Sequence, residues 1–176
     1  LLRQSYGPIF VTRDGNDLPS RVADNLYWLG RYSERLDGTT RLLREAFGRL
    51  LEWEQDSTDE RYLDDLLDAL DIPAPPMAES PRARFFALRQ ALLSPMMDAD
   101  HAGGLRIILD GMLRTGRAVR NHLGDDSWRL LNRLQQRIQE LPANLGARQA
   151  RELLEENLML IAGFCGLNNE TLPHHQ

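Results

Sequence analysis

The longest proline-free stretch of the chain lies near its beginning and constrains how the remainder can fold. It follows Pro19 and runs to Glu54 as PSRVADNLYWLGRYSERLDGTTRLLREAFGRLLEWE, and Asp17 stands just before it. A polar cap residue followed by a first-turn proline is typical of a helix start. The pattern predicts a single helix roughly 50 Å long, at about 1.5 Å per residue. We therefore expect the whole chain to be organised around this helix.

Apolar stripes, caps and prolines predict five further helices. The second follows a capping box at Ser57 and Glu60, and a proline-rich loop at 72–80 separates it from the third. The third runs from Ser80-Pro81 to Pro95, the fourth spans about 101–121, the fifth begins at a cap on Asp126 or Ser127 and ends near Pro142, and the last spans about 147–167. No convincing strand pair is present. The expected fold is all-α, a bundle of about six helices organised on the long N-terminal helix.

Several glycines fall inside the fourth predicted helix. Each lowers helix stability by about 1 kcal/mol relative to alanine, so their presence points to close contacts between helices. They are Gly103, Gly104, Gly111 and Gly116.

Composition and charge exclude several classes of function. All 21 basic residues of the 176 are arginine, which excludes P-loop and Schiff-base chemistry that depends on lysine. A net charge of -5 without a basic block argues against a nucleic-acid partner. No apolar run is long enough to cross a membrane, and the single cysteine, Cys165, cannot form an internal disulfide. We expect a soluble cytoplasmic protein with no membrane partner, in which Cys165 is a buried small residue.

The four histidines offer no pattern typical of a metal site. His101, His122, His174 and His175 include no pair spaced four residues apart on a helix. We expect no metal site in the chain.

The first helix carries two distinct faces. Apolar side chains and two small polar ones fall on one stripe at about 100° per residue, and we expect this stripe to form the core. The stripe comprises Val22, Leu26, Leu29, Ser33, Leu36, Thr40, Leu43, Phe47 and Leu50. A second group lies on the opposite side, within about 100° of arc, with Glu34 at its edge. This aromatic-arginine face comprises Asp24, Tyr27, Trp28, Arg31, Arg35 and Gly38.

The aromatic-arginine face supports two interpretations. In the structural one, Arg31, Glu34 and Arg35 form an ion-pair network buried between helices. In the functional one, the arginine forks bind a phosphate or carboxylate, and Tyr27 or Trp28 stacks on a guanidinium or a ligand ring. Both interpretations require a partner acid or ligand from elsewhere. The candidate acids are Asp126, Glu155, Glu156 and Glu170, and Asp24 is a further contributor on the helix itself.

Three segments of the chain resemble one family. Residues 18–44, LPSRVADNLYWLGRYSERLDGTTRLLR, resemble the start of the bacterial Alpha-E family, an all-helical domain named for a Glu-Arg motif that Glu34 and Arg35 would form here. Residues 114–134 are similar to the family's middle region, and residues 158–176 to the approach to its second half. The resemblance therefore covers most of the chain.

The resemblance implies a particular domain organisation. The family is described as a tandem duplication, so residues 18–176 would be the first half and the chain an excised fragment that lacks the second. Residues 1–17 would be a linker or the tail of an upstream domain, which in similar fusions is a circularly permuted ATP-grasp domain. If the second Glu-Arg helix covers the face around Arg31 and Arg35, the site is incomplete in this chain.

The resemblance also implies a function. The favoured hypothesis is a noncatalytic accessory domain of an ATP-grasp-linked peptide synthesis or modification system. In it the aromatic-arginine face, with the Glu34-Arg35 motif, binds a partner helix or an anionic group. ATP and Mg are then expected only in the ATP-grasp partner, and this chain carries no cofactor. The alternative is a catalytic domain in which Glu34 acts as acid or base on an anionic peptide-like substrate held by Arg31 and Arg35.

Overall fold

The structure is a computed structural model that describes residues 19–56 and 60–171, without the side chains at 56 and 169–171. The helices are α1 Ser20–Asp56, α2 Arg61–Ala69, α3 Pro81–Met97, α4 Leu105–Ala118, α5 Asp125–Gln139 and α6 Ala147–Thr171, with a short 3₁₀ turn at Arg120–His122. The described residues contain no strand, so the predicted all-α fold with six helices is confirmed. The predicted linker at 1–17, Ser57 of the capping box, and His174 and His175 lie outside the described residues.

Helix α1 is the axis of the bundle, as its sequence predicts. It packs chiefly against α6 and α4 and makes smaller contacts with α3 and α2. Five apolar positions of the predicted stripe are buried, and Val22 and Leu26 near its start are partly buried. The hydroxyls of Ser33 and Thr40 sit in the same core because each donates to the carbonyl oxygen four residues earlier, at 2.7 and 2.6 Å. The buried apolar side chains of α1 are Leu29, Leu36, Leu43, Phe47 and Leu50, joined by Ala46.

Three predicted boundaries of the third and fourth helices are wrong. Pro95 does not end α3, which continues to Met97, because a proline in the last turn removes only one backbone hydrogen bond and Pro95 is itself buried. The fourth helix begins at Leu105 instead of His101, since Gly103 takes a φ of 75°, a left-handed conformation that no helix continues through. It also ends earlier than predicted, at Ala118.

The predicted cap of the fifth helix is wrong as well. Gly124 occupies the cap position and offers no side chain, and Asp125 and Asp126 form the first turn. Their carboxylates complement the positive end of the helix dipole there, which explains a start without a side-chain cap. Ser127 is buried and donates to Oδ1 of Asn168 on α6 at 3.1 Å, so it joins two helices instead of capping one.

A buried arginine fixes the proline-rich connection between α2 and α3. Arg84, near the start of α3, contacts Oε1 of Glu60 through Nε at 2.6 Å and Nη2 at 2.5 Å. Its Nη1 donates to the carbonyl oxygen of Pro75 at 2.5 Å and more weakly to that of Pro76 at 3.3 Å. The guanidinium thus links Glu60, the residue before α2, to the loop and to α3. The Arg84 side chain makes these contacts while only 8% of it is exposed.

Candidate functional site

The aromatic-arginine face lies on the outside of the bundle. Asp24, Arg31 and Arg35 are exposed, and Tyr27 and Trp28 retain 62% and 52% of their accessible surface. The interpretation of a network buried between helices of this chain is therefore wrong, because no described helix covers the outer surface of α1. The interpretation of the face as a binding surface stays a prediction.

Arg31 finds its carboxylate on its own helix. Its Nη1 contacts Oε2 of Glu34 at 2.7 Å, one turn along α1, and the two side chains are 53% and 70% exposed. An exposed pair at this spacing contributes only about 0.3–0.5 kcal/mol to stability. The pair therefore orients the two side chains on the surface without fixing the fold.

Of the acids proposed as distant partners, the three whose side chains the structure describes are not paired with these arginines. Asp126 pairs with Arg129 on α5 at 3.1 Å, and Glu156 pairs with Arg137 between α6 and α5. Glu155 is exposed on α6, and the side chain of Glu170 lies outside the described residues.

Glu34 and Arg35 line two different clefts although they are neighbours in sequence. Glu34 lines an open cleft of about 290 Å³ between α1, the 3₁₀ turn and α6. Arg35 lines a second depression of about 360 Å³ between α1, the end of α2 and the α3–α4 connection. Because consecutive helical side chains diverge by about 100°, a Glu-Arg pair on one helix presents its two charges to opposite flanks. We call the first of these the Glu34 cleft.

The two exposed aromatic residues belong to a chain of three rings that ends at Tyr32. Tyr27 and Trp28 meet edge to face with centroids 5.6 Å apart, and Trp28 and Tyr32 lie 6.2 Å apart at a tilt of 39°. Nη2 of Arg114 on α4 donates weakly to the Tyr32 hydroxyl at 3.5 Å. Tyr32 was not singled out in the sequence, but its position four residues after Trp28 places both on the same flank of α1. It connects the exposed face to α4.

Residues far apart in sequence meet in the Glu34 cleft. Ser33 and Glu34 line it from α1, His122 from the 3₁₀ turn, and Cys165 and Asn168 from α6. The sequence predicts no metal role for His122 and a buried position for Cys165. Cys165 is in fact only partly buried and lines the cleft.

Burial raises the pKa of the Cys165 thiol, and the nearby carboxylates of Asp37 and Glu34 raise it further. The thiol is therefore protonated at neutral pH and a weak nucleophile. This environment does not support a catalytic thiolate.

The raised pKa of Cys165 gives a testable pH dependence. We expect the midpoint of its alkylation by iodoacetamide, measured as rate against pH, to lie higher in the folded protein than in the urea-unfolded chain. No other thiol interferes, because the chain has a single cysteine. The folded state holds this proton to higher pH than the unfolded state does. The contribution of Cys165 to the free energy of unfolding is therefore fully present below the pKa of the thiol in the unfolded chain. It is lost as pH rises through the pKa of the thiol in the folded protein.

Neighbouring variants check the cause of that shift. Asp37→Asn and Glu34→Gln should each lower the folded pKa of Cys165 only in part, since burial is its largest cause. Asp68→Asn, at an exposed position on α2, serves as the matched control. A folded midpoint equal to the unfolded one would show that Cys165 is not in this environment.

Two further classes of site are absent from the part of the chain that the structure describes. Across 19–56 and 60–171, no three histidine, cysteine or acidic side chains are grouped closely enough to bind a metal ion. Within the same ranges, none of the helices combines the length and the apolar character required to cross a bilayer.

Comparison with known proteins identifies relatives but no characterised one. The chain is 28% identical over 174 residues to the uncharacterized proteins Mb2597 of Mycobacterium bovis and MT2643 of Mycobacterium tuberculosis. It is 27% identical to the uncharacterized protein Rv2567 of Mycobacterium tuberculosis. Each alignment covers 88% of this chain but only 19% of the relative, so the chain spans about a fifth of the length of these proteins. No solved structure matches the chain.

A family model matches residues 18–176 and is described as "a predicted alpha-helical domain with a conserved ER motif". The match covers every described helix, and Glu34-Arg35 stands on the exposed surface of the longest of them. This chain belongs to the Alpha-E family.

Proposed function

We propose that this domain is an accessory component of an ATP-grasp-linked peptide synthesis or modification system, and that its aromatic-arginine face binds the ATP-grasp partner. The link to an ATP-grasp ligase rests on the family resemblance. In this proposal the partner, in the same polypeptide or a separate one, supplies ATP and Mg. The face binds a helix or an anionic group of that partner.

The exposure of Tyr27 and Trp28 carries the proposal. Two large aromatic side chains, 62% and 52% exposed, lie side by side with the guanidiniums of Arg31 and Arg35 on one surface of α1. Tryptophan, tyrosine and arginine are the residues most enriched among those that dominate binding energy at protein interfaces. Large exposed aromatic clusters on a folded domain commonly mark such interfaces.

The arginines add a charge component to this surface. Arg31 shares its charge with Glu34, whereas Arg35 has no ion pair within the described residues and lines an open depression. An exposed guanidinium offers a planar fork of donors that fits a carboxylate or phosphate oxygen pair. A partner carrying an acidic group beside an apolar one would match this combination.

Trp28→Ala should weaken binding to the partner. Titration calorimetry of the purified chain against its separately expressed ATP-grasp partner, domain or protein, measures the effect. We expect Kd to rise at least about tenfold, corresponding to about 1.4 kcal/mol, since an aromatic anchor of an interface is lost.

A matched control separates this effect from loss of apolar surface in general. Met77→Ala removes an exposed apolar side chain from the loop between α2 and α3, where 83% of Met77 is accessible, and should leave Kd unchanged. Wild-type affinity in both Trp28→Ala and Tyr27→Ala would contradict the proposal.

A second candidate function is supported by the Glu34 cleft. Here Glu34 acts as a general acid or base on an anionic peptide-like substrate held by Arg31 and Arg35. Arg31 contacts Glu34 at 2.7 Å from outside the cleft, and Arg35 lines the neighbouring depression, so the anion would lie beside the cleft and not within it. The supporting observation is that Glu34 lines an open cleft of about 290 Å³ and is not sealed in the fold. Loss of product formation by the complete system in Glu34→Gln, with partner binding intact, would favour this candidate over the first.

A further inference from the structure

The Glu34 cleft has the build of a small-molecule site. Its floor is apolar, its rim is polar, and it opens to solvent between two helices. Its volume of about 290 Å³ lies just below the range for ligand pockets, about 300–1,000 Å³. The cleft therefore suits a ligand of only a few carbon atoms. The apolar floor is formed by Leu26, Leu29, Leu123 and Phe164.

Two carboxylates lie at or near the cleft, which His122 also lines. Glu34 lines the cleft directly, and Asp37 lies one turn further along α1. The carboxylates of both residues are close enough to raise the pKa of the Cys165 thiol. The neighbouring cations Arg31 and Arg41 do not line the cleft, although each pairs with one of these carboxylates at 2.7 Å.

Two of the polar side chains that line the cleft, Ser33 and Glu34, offer hydrogen-bond acceptors to a ligand, and His122 and Asn168 also line it. The Ser33 hydroxyl uses its hydrogen to donate to the Leu29 carbonyl oxygen at 2.7 Å, which leaves its lone pairs for another donor. The Glu34 carboxylate accepts one bond from Arg31 and has further acceptor capacity. A ligand group that carries several donors and a positive charge complements this rim.

We infer that the Glu34 cleft binds a primary ammonium group attached to a short apolar body. The ammonium supplies three donors and a compact charge to Glu34 and Ser33, and the apolar body covers the floor. The inference goes beyond the proposed partner surface, because the cleft lies on the α6 flank of α1 and Trp28 does not line it. It does not depend on whether Glu34 transfers a proton.

The experiment uses Cys165 as a reporter of occupancy. The probes are isobutylamine, isobutanol and isobutyrate, which share a body and differ in charge, and the readout is the rate of Cys165 alkylation by iodoacetamide at one neutral pH and ionic strength. Because the Cys165 thiol reacts only while the cleft is unoccupied, an amine present at about ten times its Kd should slow alkylation about tenfold. Rates are expressed as ratios with and without probe, which cancels any change in the intrinsic reactivity of the thiol. The urea-unfolded chain shows whether a probe affects the reagent itself.

Three variants locate the effect. Gly30 lines the cleft and has no atom within 4 Å of an added Cβ, so Gly30→Leu should fill the cleft without a backbone clash and abolish protection. Gly38→Leu is the matched control, since Gly38 lies on the same helix, has the same free space and does not line the cleft. Both changes replace an interior helical glycine by a better helix former, so neither should impair folding. Glu34→Gln keeps the shape and should remove the preference for the amine.

Each outcome decides the inference. Protection by isobutylamine alone, lost in Gly30→Leu and Glu34→Gln and kept in Gly38→Leu, supports it. Equal protection by isobutanol, stronger protection by isobutyrate, unchanged protection in Gly30→Leu, or no protection by the amine would overturn it. Because the assay contains no ATP-grasp protein, its failure leaves the partner proposal to its own titration.

Discussion

Replacing Arg84 by methionine should lower the free energy of unfolding by about 3 kcal/mol, because it breaks a buried ion pair and leaves its partners unsatisfied. Arg84 is buried, and its guanidinium is the group that binds Glu60 and the carbonyl oxygens of Pro75 and Pro76. Methionine keeps much of the apolar stem, so the expected loss comes from the charge and the hydrogen bonds. For a domain of this size the midpoint of thermal unfolding should fall by about 6–12 °C.

Urea unfolding followed by circular dichroism measures the Arg84 effect. Arg82→Met on the same helix is the matched control, because Arg82 is exposed and its loss should change the free energy of unfolding by less than about 0.5 kcal/mol. If Arg84→Met is no less stable than Arg82→Met, Arg84 does not fix the α2–α3 connection.

A second replacement tests the cause of the Arg84 effect. Glu60→Leu combined with Arg84→Met removes both charges, so no unpaired carboxylate is left in a partly buried position. The double variant should recover part of the lost stability, as apolar replacements of buried pairs do elsewhere. A double variant whose loss equals the sum of the two single losses would show that the two side chains act independently.

The fold could be predicted from the sequence wherever local chemistry decides it. A proline-free run with a clean apolar stripe sufficed for α1, and the burial of Leu36, Leu43 and Phe47 follows from spacing alone. The buried hydroxyls of Ser33 and Thr40 fit the same stripe because a helical backbone supplies their hydrogen-bond acceptors. The prediction of helix boundaries was wrong where tertiary packing overrides a local signal, as at Pro95. It was also wrong where the backbone conformation of one residue decides the boundary, as at Gly103.

The candidate site could be predicted only as far as one helix defines it. The aromatic-arginine face was found by phase on α1, and its side chains are exposed together on that face. The Glu34 cleft could not be found in this way, because His122 and Cys165 are about ninety and one hundred and thirty residues from Glu34 in sequence. Only the packing of α4, with the 3₁₀ turn that follows it, and of α6 against α1 brings them together. The division of Glu34 and Arg35 between two flanks follows from helix geometry, but which neighbour each flank meets does not.

Gly111→Ala should destabilise the domain by about 2 kcal/mol although alanine is the better helix former, because it overpacks the contact between α4 and α1. A Cβ at position 111 would lie 2.5 Å from Cε1 and Cζ of Tyr32 and 2.8 Å from Cδ1, so the ring or the helix must move. The glycines of α4 were expected to mark close helix contacts, and Gly111 does so. Gly38→Ala is the matched control, since nothing lies within 4 Å of its added Cβ, and it should raise stability by up to about 1 kcal/mol.

A double-mutant cycle with Tyr32→Ala assigns the Gly111 effect to the ring. With the ring absent, Gly111→Ala should cost little or become stabilising, which gives a coupling energy of about 1–3 kcal/mol between the two positions. No coupling, or a Gly111→Ala variant as stable as Gly38→Ala, would mean that α1 and α4 are not in this contact.

The same variant tests whether α4 shapes the proposed binding face. Tyr32 contacts Trp28 with centroids 6.2 Å apart, so a displaced Tyr32 removes the support of an exposed side chain that is itself unchanged. If Tyr32 positions Trp28 for the partner, Gly111→Ala weakens binding to the ATP-grasp protein although residue 111 is buried and cannot contact the partner. Equal affinity of a folded Gly111→Ala variant and the wild type would show instead that Trp28 binds without the support of Tyr32. The glycine on α4 would then serve the fold alone.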